Sequence, residues 1–257
     1  MGGSPINFGD EASHVALGEL SGRAIRRSSI GAADVLGVGS ILNKAWKARS
    51  DAMVFGSGLR RTEHRPIAMP SDRVLAVRGT LTRDALRLSA DLPLGDPALV
   101  LGGVYDSGSP ARSGAPLFIP HFTMLAQPDG RAHLSALRSS GWTIQLPTTT
   151  PRAVAQAIRR ATLVATNSLH GIVFAHALGT PVVAIDVAGH AEPVFKYTDY
   201  MSAFGLPYEP IDVAVLARRS SSALIDHVAS QTALVAAALP DLVNGLHRAA
   251  SPLRSNS

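Results

Sequence analysis

Cysteine is missing altogether. Disulfides, thiolate zinc sites and a cysteine nucleophile are thereby excluded, and the composition fits a reducing compartment. Lysine is nearly missing: Lys44, Lys47 and Lys196 are three of 24 basic residues, the rest being arginine. Arginine suits bidentate capture of carboxylate or phosphate, although a codon bias toward arginine accounts for the excess without any function. The arginines are spread out, so the chain lacks the dense basic run of a nucleic-acid-binding arm, despite a net charge of +5. Met1 to Asp10 has neither the basic start nor the apolar core of a secretory signal. Histidines and carboxylates show no metal-ligand spacing. There is no GxSxG nucleophile elbow, no complete GxGxxG and no P-loop lysine motif.

Charge is also missing from 161–185, between Arg160 and Asp186. The length would span a bilayer. However, Asn167, Ser168, His170, His176, Gly179 and Pro181 interrupt it, and such groups are costly in hydrocarbon. A strand, a helix and a second strand explain the segment better.

What is present is a chain 46% hydrophobic and 17% charged, with 257 residues. That suffices for one large domain or two small ones, with a sizeable core. Short aliphatic runs recur, each ending in a glycine-rich or polar turn: "AADVLGVGS", "DAMVFGSGL", "DRVLAVRG", "APLFIPHF", "GWTIQLP", "TLVAT" and "PVVAID". They show little alternation, as expected of parallel strands covered on both faces. Helical segments lie between them. One follows Asp10 as its expected N-cap. Another starts at Thr150 and Pro151. A third runs from Ser168 to Gly179, a usual C-terminal residue. The alternation predicts an α/β chain built from right-handed βαβ units in parallel sheets. The Ser-, Gly-, Pro- and Arg-rich stretch Asp106–Ala115 reads as a linker. It divides the chain into residues 1–110 and residues 111–257, the latter ending in a mostly helical tail from Asp212 whose final "RSNS" is expected to fray.

Ligands of open parallel sheets bind at the carboxyl ends of the strands. The residues just past each apolar run are therefore the candidates. In "TNSLHG" the strand end meets a helix start, where free N–H groups favour an anion. His170 falls in the first helical turn. There the helix dipole disfavours an imidazolium and a bound phosphate favours it, which suits acid–base work. A capping turn with a locally bonded histidine is the alternative. His176, six residues on, faces another side of the helix and reads as a packing residue. Asp10 is either a simple helix cap or a carboxylate placed to take a proton from a substrate hydroxyl. Gly56 and Gly58, like Gly37 and Gly39, would let backbone approach a ligand closely. Arg78 ends a strand and could clamp phosphate or carboxylate. Arg83 fits a surface position better. His121 ends another strand. Spacing alone leads as far as an anionic ligand in a cleft between two domains.

Taken in order, "NFGDE", "GVGSIL", "VFGSGLR", "VRGTLTR", "LGDPAL", "IPHF", "TNSLHGIVFAHALG" and "FKYTDYMSAFGL" resemble the polysaccharide pyruvyl transferase family, particularly its bacterial exopolysaccharide branch. The resemblance runs from Asn7 to about Leu206. It implies two Rossmann-like domains with a cleft between them, arranged as in GT-B glycosyltransferases, with 1–110 on the acceptor side and 111–257 on the donor side. It implies phosphoenolpyruvate as donor substrate, no separate cofactor and no metal. The acceptor is expected to be a sugar of an exopolysaccharide or its lipid-linked precursor, and the product a cyclic pyruvate ketal. His170 and Leu169 of "SLHG" and Arg78 of the "RG-LT" motif would meet the donor, and Asp10 of "N-GD" would activate the acceptor. Ser168, Asn167, Gly56, Gly58, Arg83 and His121 complete the expected donor-binding set. The implied location is the cytoplasm, with peripheral association at the inner face of the membrane. The sequence departs from the pattern in three places. Only Met1 to Ile6 precede "N-GD", where the family has a strand. Thr80 stands where proline is common. The tail after Leu206 matches no motif. A nucleotide-sugar glycosyltransferase and a non-catalytic carbohydrate-binding homologue are the competing readings.

Overall fold

The computed structural model describes residues 7–47, 51–62, 70–105, 108, 112, 114–187 and 192–254. Among these, eight strands form two sheets. β1 (Val35–Leu36), β2 (Met53–Phe55) and β3 (Val74–Ala76) lie side by side in that order, and both pairings are parallel. β4 (Leu117–Ile119), β5 (Thr143–Ile144), β6 (Val164–Thr166), β7 (Val182–Asp186) and β8 (Ile211–Asp212) form a second parallel sheet in the order β5-β4-β6-β7-β8. The helices are α1 (Phe8–Ser21), α2 (Leu42–Lys47), α3 (Thr80–Ala85), α4 (Leu101–Val104), α5 (Phe122–Leu125), α6 (Pro128–Ser139), α7 (Pro151–Arg160), α8 (Leu169–Ala177), α9 (Phe195–Ser202), α10 (Val213–Leu216), α11 (Ser221–Ala249) and α12 (Ser251–Arg254). This is the α/β alternation with parallel sheets that the apolar runs predict.

The chain forms two compact units, each entered more than once. One comprises Met1–Glu11, Leu101–Glu192 and Glu209–Ala237; the other comprises Ala12–Val100, Pro193–Tyr208 and Ala238–Ser257. The composition shift predicts a division into residues 1–110 and 111–257. Within the expected linker, residues 106–107, 109–111 and 113 lie outside the described residues, as do Met1 to Ile6 and residues 255–257 of "RSNS".

The five-stranded unit is cored by Phe118, Leu163, Ala165, Val183, Ile185 and Trp142, all buried. Its central strands β4 and β6 are buried at every position. That is why they read as unbroken apolar runs. "GWTIQLP" is expected to be a buried strand, but β5 is a sheet edge, and Thr143 on it is exposed. β8 is not foreseen; its two residues run directly into the helix Val213–Leu216. α7 starts as expected: Thr150 Oγ1 accepts from Ala153 N at 3.3 Å, and Pro151 takes the first helical position. α8 ends as expected, with Gly179 in the left-handed region at φ +63. The uncharged 161–185 segment is thus strand, helix and strand.

The start of α1 differs from expectation. The cap is Asn7, whose Oδ1 accepts from Gly9 N at 3.0 Å; Asp10 is the third residue of the helix. Both residue types cap well. Phe8 N donates to Pro147 O at 3.1 Å, which fixes where the turn closes. Asp10 then lies in the first turn, where a carboxylate complements the helix dipole.

The three-stranded unit is cored by Leu36, Val54, Leu59, Val74 and Val77. In the same unit α3 packs tightly on α9. There Gly79 passes so close that a Cβ on it would lie 2.6 Å from the carbonyl carbon of Asp199, and Thr80 N donates to Ser202 Oγ at 3.0 Å.

Candidate active site

In the five-stranded unit the candidates gather at the carboxyl ends of β4 and β6. Thr166 ends β6 fully buried. Its hydroxyl donates to Ile119 O at 2.7 Å and accepts from Ser168 N at 3.0 Å, turning the chain into α8. Asn167, also buried, crosses to the neighbouring strand, where its Oδ1 accepts from His121 N at 2.6 Å. His121 in turn caps α5. Its Nδ1 lies 2.8 Å from Thr123 Oγ1 and accepts from Thr123 N. Its ring leans on Phe122, 47% exposed. Asn167 and His121 therefore stitch two strand ends together.

Ser168 is the N-cap of α8, with no side-chain cap bond, and Leu169 is buried in the first turn. His170 follows, half-buried. It packs on the start of α1: a Cβ added to Gly9 would lie 2.5 Å from His170 Cγ and 2.8 Å from Cε1. Phe8 meets the same ring edge-on at 6.4 Å and meets Phe174 at 5.2 Å. "N-GD" and "SLHG", far apart in sequence, thus meet in one unit. Asp10 is exposed one residue beyond the glycine that His170 covers. His176, by contrast, is buried, and burial pushes its imidazole down to about 3, so it stays neutral and packs as expected.

In the three-stranded unit the carboxyl edge carries Ser40, Ser57, Arg78 and Asp96. Arg78 is 0% exposed. Its Nε and Nη2 both reach Asp199 Oδ2 at 2.9 Å, Nη2 donates to Leu59 O at 2.6 Å, and Nη1 donates to Ser40 Oγ. Asp199 also accepts from Thr82 N and Thr82 Oγ1, each at 2.7 Å. Sequence reasoning does not single out Asp199, although it lies in the motif "FKYTDYMSAFGL". Gly58 leaves its room to this arginine, since a Cβ there would lie 2.7 Å from Arg78 Nε. Gly56, at φ +76, faces Pro97 and Gly95 O. Arg83 turns to its own surroundings, with Asp84 Oδ1 at 2.9 Å and Ala90 O at 3.1 Å.

Asp96 is fully buried. Its Oδ1 accepts from Ala98 N at 2.9 Å, and no described residue donates to Oδ2. Burial raises its carboxyl to about 6, against the lowering effects of the Ala98 N–H and the Arg78 charge. Tyr200, also buried, is raised well above the usual phenol range by burial and by Asp96.

The sequence model of the polysaccharide pyruvyl transferases matches residues 5–189, most of the chain and both carboxyl edges just described. The chain belongs to the polysaccharide pyruvyl transferase family. Two relatives are similar at lower identity. The succinoglycan biosynthesis protein ExoV of Rhizobium meliloti (strain 1021) is 25% identical over 186 residues, covering 72% of this chain and 58% of that protein. The uncharacterized protein L143 of Acanthamoeba polyphaga mimivirus is 26% identical over 182 residues, covering 66% of this chain and 59% of that protein. The chain therefore aligns with less than two thirds of the length of either relative.

Proposed function

We propose that this member of the pyruvyl transferase family moves pyruvate from phosphoenolpyruvate to a sugar of an exopolysaccharide or its lipid-linked precursor, forming a cyclic ketal. The observation that supports the reading best is the packing of His170 against Gly9, which joins two family motifs at the carboxyl edge of β6. A proton goes to the methylene carbon of phosphoenolpyruvate, and positive charge develops at the neighbouring carbon. A sugar hydroxyl bonds to that carbon and gives up its proton. Phosphate leaves with the bonding pair of its C–O bond, a second hydroxyl closes the ring, and the second hydroxyl proton leaves with phosphate. The methylene becomes a methyl, so the atoms balance.

His170 is assigned as proton donor or phosphate partner, next to the N–H groups that open α8. Asp10, exposed on the first turn of α1, is assigned as acceptor of a sugar hydroxyl proton. Asn167, Ser168, Leu169 and His121 shape the donor end. Arg78 is assigned as a source of fixed positive charge, with Gly58 leaving room for its guanidinium; Gly56 and Arg83 are kept in the assigned donor-binding set. A cytoplasmic place at the inner membrane face belongs to the same reading.

The test is acceptor-dependent release of phosphate from phosphoenolpyruvate, with a lipid-linked oligosaccharide as acceptor. His170→Ala is expected to lower kcat by about 10²–10⁴-fold, the usual share of a general acid, with thermal unfolding unchanged. Turnover near that of the unaltered chain in this variant would remove His170 from the mechanism. Stabilisation by nucleotide sugars and not by phosphoenolpyruvate would favour a glycosyltransferase.

A further inference from the structure

The guanidinium of Arg78 is closed off by the protein's own groups, so its influence at the carboxyl edge passes through whatever it touches on the open side. That group is Ser40. Arg78 Nη1 donates to Ser40 Oγ, which occupies an oxygen lone pair. A serine hydroxyl has one proton to give, and among the described residues no group accepts it. Ser40 is half-buried, whereas Arg78 is 0% exposed. The turn that carries it is fixed from both sides. Gly39 sits at φ +117, and its carbonyl accepts from Ser57 Oγ at 2.9 Å and from Gly58 N at 3.1 Å. A Cβ on Gly37 would lie 2.8 Å from Ser13 Oγ, and Val38 N donates to the same oxygen at 3.3 Å, so the loop packs closely on α1. Ser40 also follows β1, at the strand end where ligands of parallel sheets bind.

We propose that Ser40 is the substrate-contacting group of this unit, donating its hydroxyl proton to an oxygen of the ligand while Arg78 holds its lone pair and Asp199 holds Arg78. The arrangement is a relay of three side chains: a carboxylate fixes a cation, the cation orients and polarises a hydroxyl, and the hydroxyl meets the ligand. Asp199 and Arg78 are positioning residues, since neither is exposed. The ligand oxygen is that of a carboxylate, a phosphate or a sugar hydroxyl, which all accept one hydrogen bond. This assignment rests on the pyruvyl transfer reading, which supplies all three kinds of oxygen.

The absence of cysteine makes a direct test simple, because Ser40→Cys places the single thiol of the chain at the proposed contact. Alkylation of that variant by iodoacetamide is timed alone, with phosphoenolpyruvate, and with the oligosaccharide acceptor. The ligand that touches position 40 is expected to slow alkylation about tenfold or more, and which one does so identifies the oxygen. In parallel, Ser40→Ala is expected to raise KM for that same ligand about tenfold, equal to about 1.4 kcal/mol, and Ser40→Thr to restore it. A purely structural serine would lower the melting temperature without this split between the two KM values. If the unaltered chain turns over but neither ligand at saturation protects the thiol of the Ser40→Cys variant, the Ser40 assignment is overturned and pyruvyl transfer stands. If the unaltered chain fails to turn over, both are overturned.

Discussion

Removing the Asp199 carboxylate should be among the most damaging single changes in the three-stranded unit. Arg78 is a cation at 0% exposure, and Asp199 is the carboxylate its Nε and Nη2 both reach. Asp199→Ala leaves that cation in the interior and strips Thr82 N and Thr82 Oγ1 of their acceptors. Breaking one side of a buried pair costs about 3–5 kcal/mol. A whole domain is stable by only about 5–15 kcal/mol. For a chain of this size each kcal/mol is worth about 2–4 °C in Tm, so the expected fall is about 6–20 °C. The assay is urea unfolding of the full chain, with Asp199→Ala, Arg78→Met and the double variant compared. Arg78→Met should cost less on the Asp199→Ala background than alone, because the carboxylate it would orphan is already gone. The coupling expected for contacting residues is about 0.5–3 kcal/mol. If Asp199→Ala lies within about 1 kcal/mol of the unaltered chain, or if the two changes simply add, then the pair is not what holds α3 to α9. An Arg78→Ala activity measurement must therefore be read beside a folding measurement.

Two further outcomes follow from buried groups and close contacts. Asp96 has a folded carboxyl raised to about 6 from its ordinary value of 3.8. The folded state binds the extra proton between those values, so stability is lost as pH rises through that window, by about 3 kcal/mol in all. Asp96→Asn should flatten this slope across the same window in urea unfolding, and an unchanged slope would show that Asp96 titrates normally. Gly9→Ala puts a methyl into the His170 ring. It should reduce kcat about as far as His170→Ala and also lower stability, because Cγ at the root of the ring must shift along with its edge; full activity would separate α1 from the site.

The strands at the centre of each sheet are legible because burial on both faces leaves an uninterrupted aliphatic run. β5 is legible as a strand in "GWTIQLP" but not as a sheet edge, and β8 is not foreseen. The N-cap of α1 is misread as well. Asn7 and Asp10 are both good caps, and what decides between them is a bond from Phe8 N to Pro147 O, far away in sequence. Site residues at strand ends are legible as positions, because parallel sheets put their loops there. Their partners are not. Gly58 reads as room for a ligand, but the room is filled by Arg78; Gly79 reads as a turn, but it clears the Asp199 backbone. The Arg78–Asp199 bond joins residues 121 positions apart, and nothing local marks an aspartate in a short helix as the counter-ion of a distant arginine. The same holds for Ser40, 38 positions before Arg78. A strand-end rule can therefore locate an edge, but which side chain of that edge faces the ligand depends on which are already spent on the protein. At this edge Arg78 is spent and the Ser40 proton is not, and that difference moves the proposed contact from the cation to the hydroxyl in front of it.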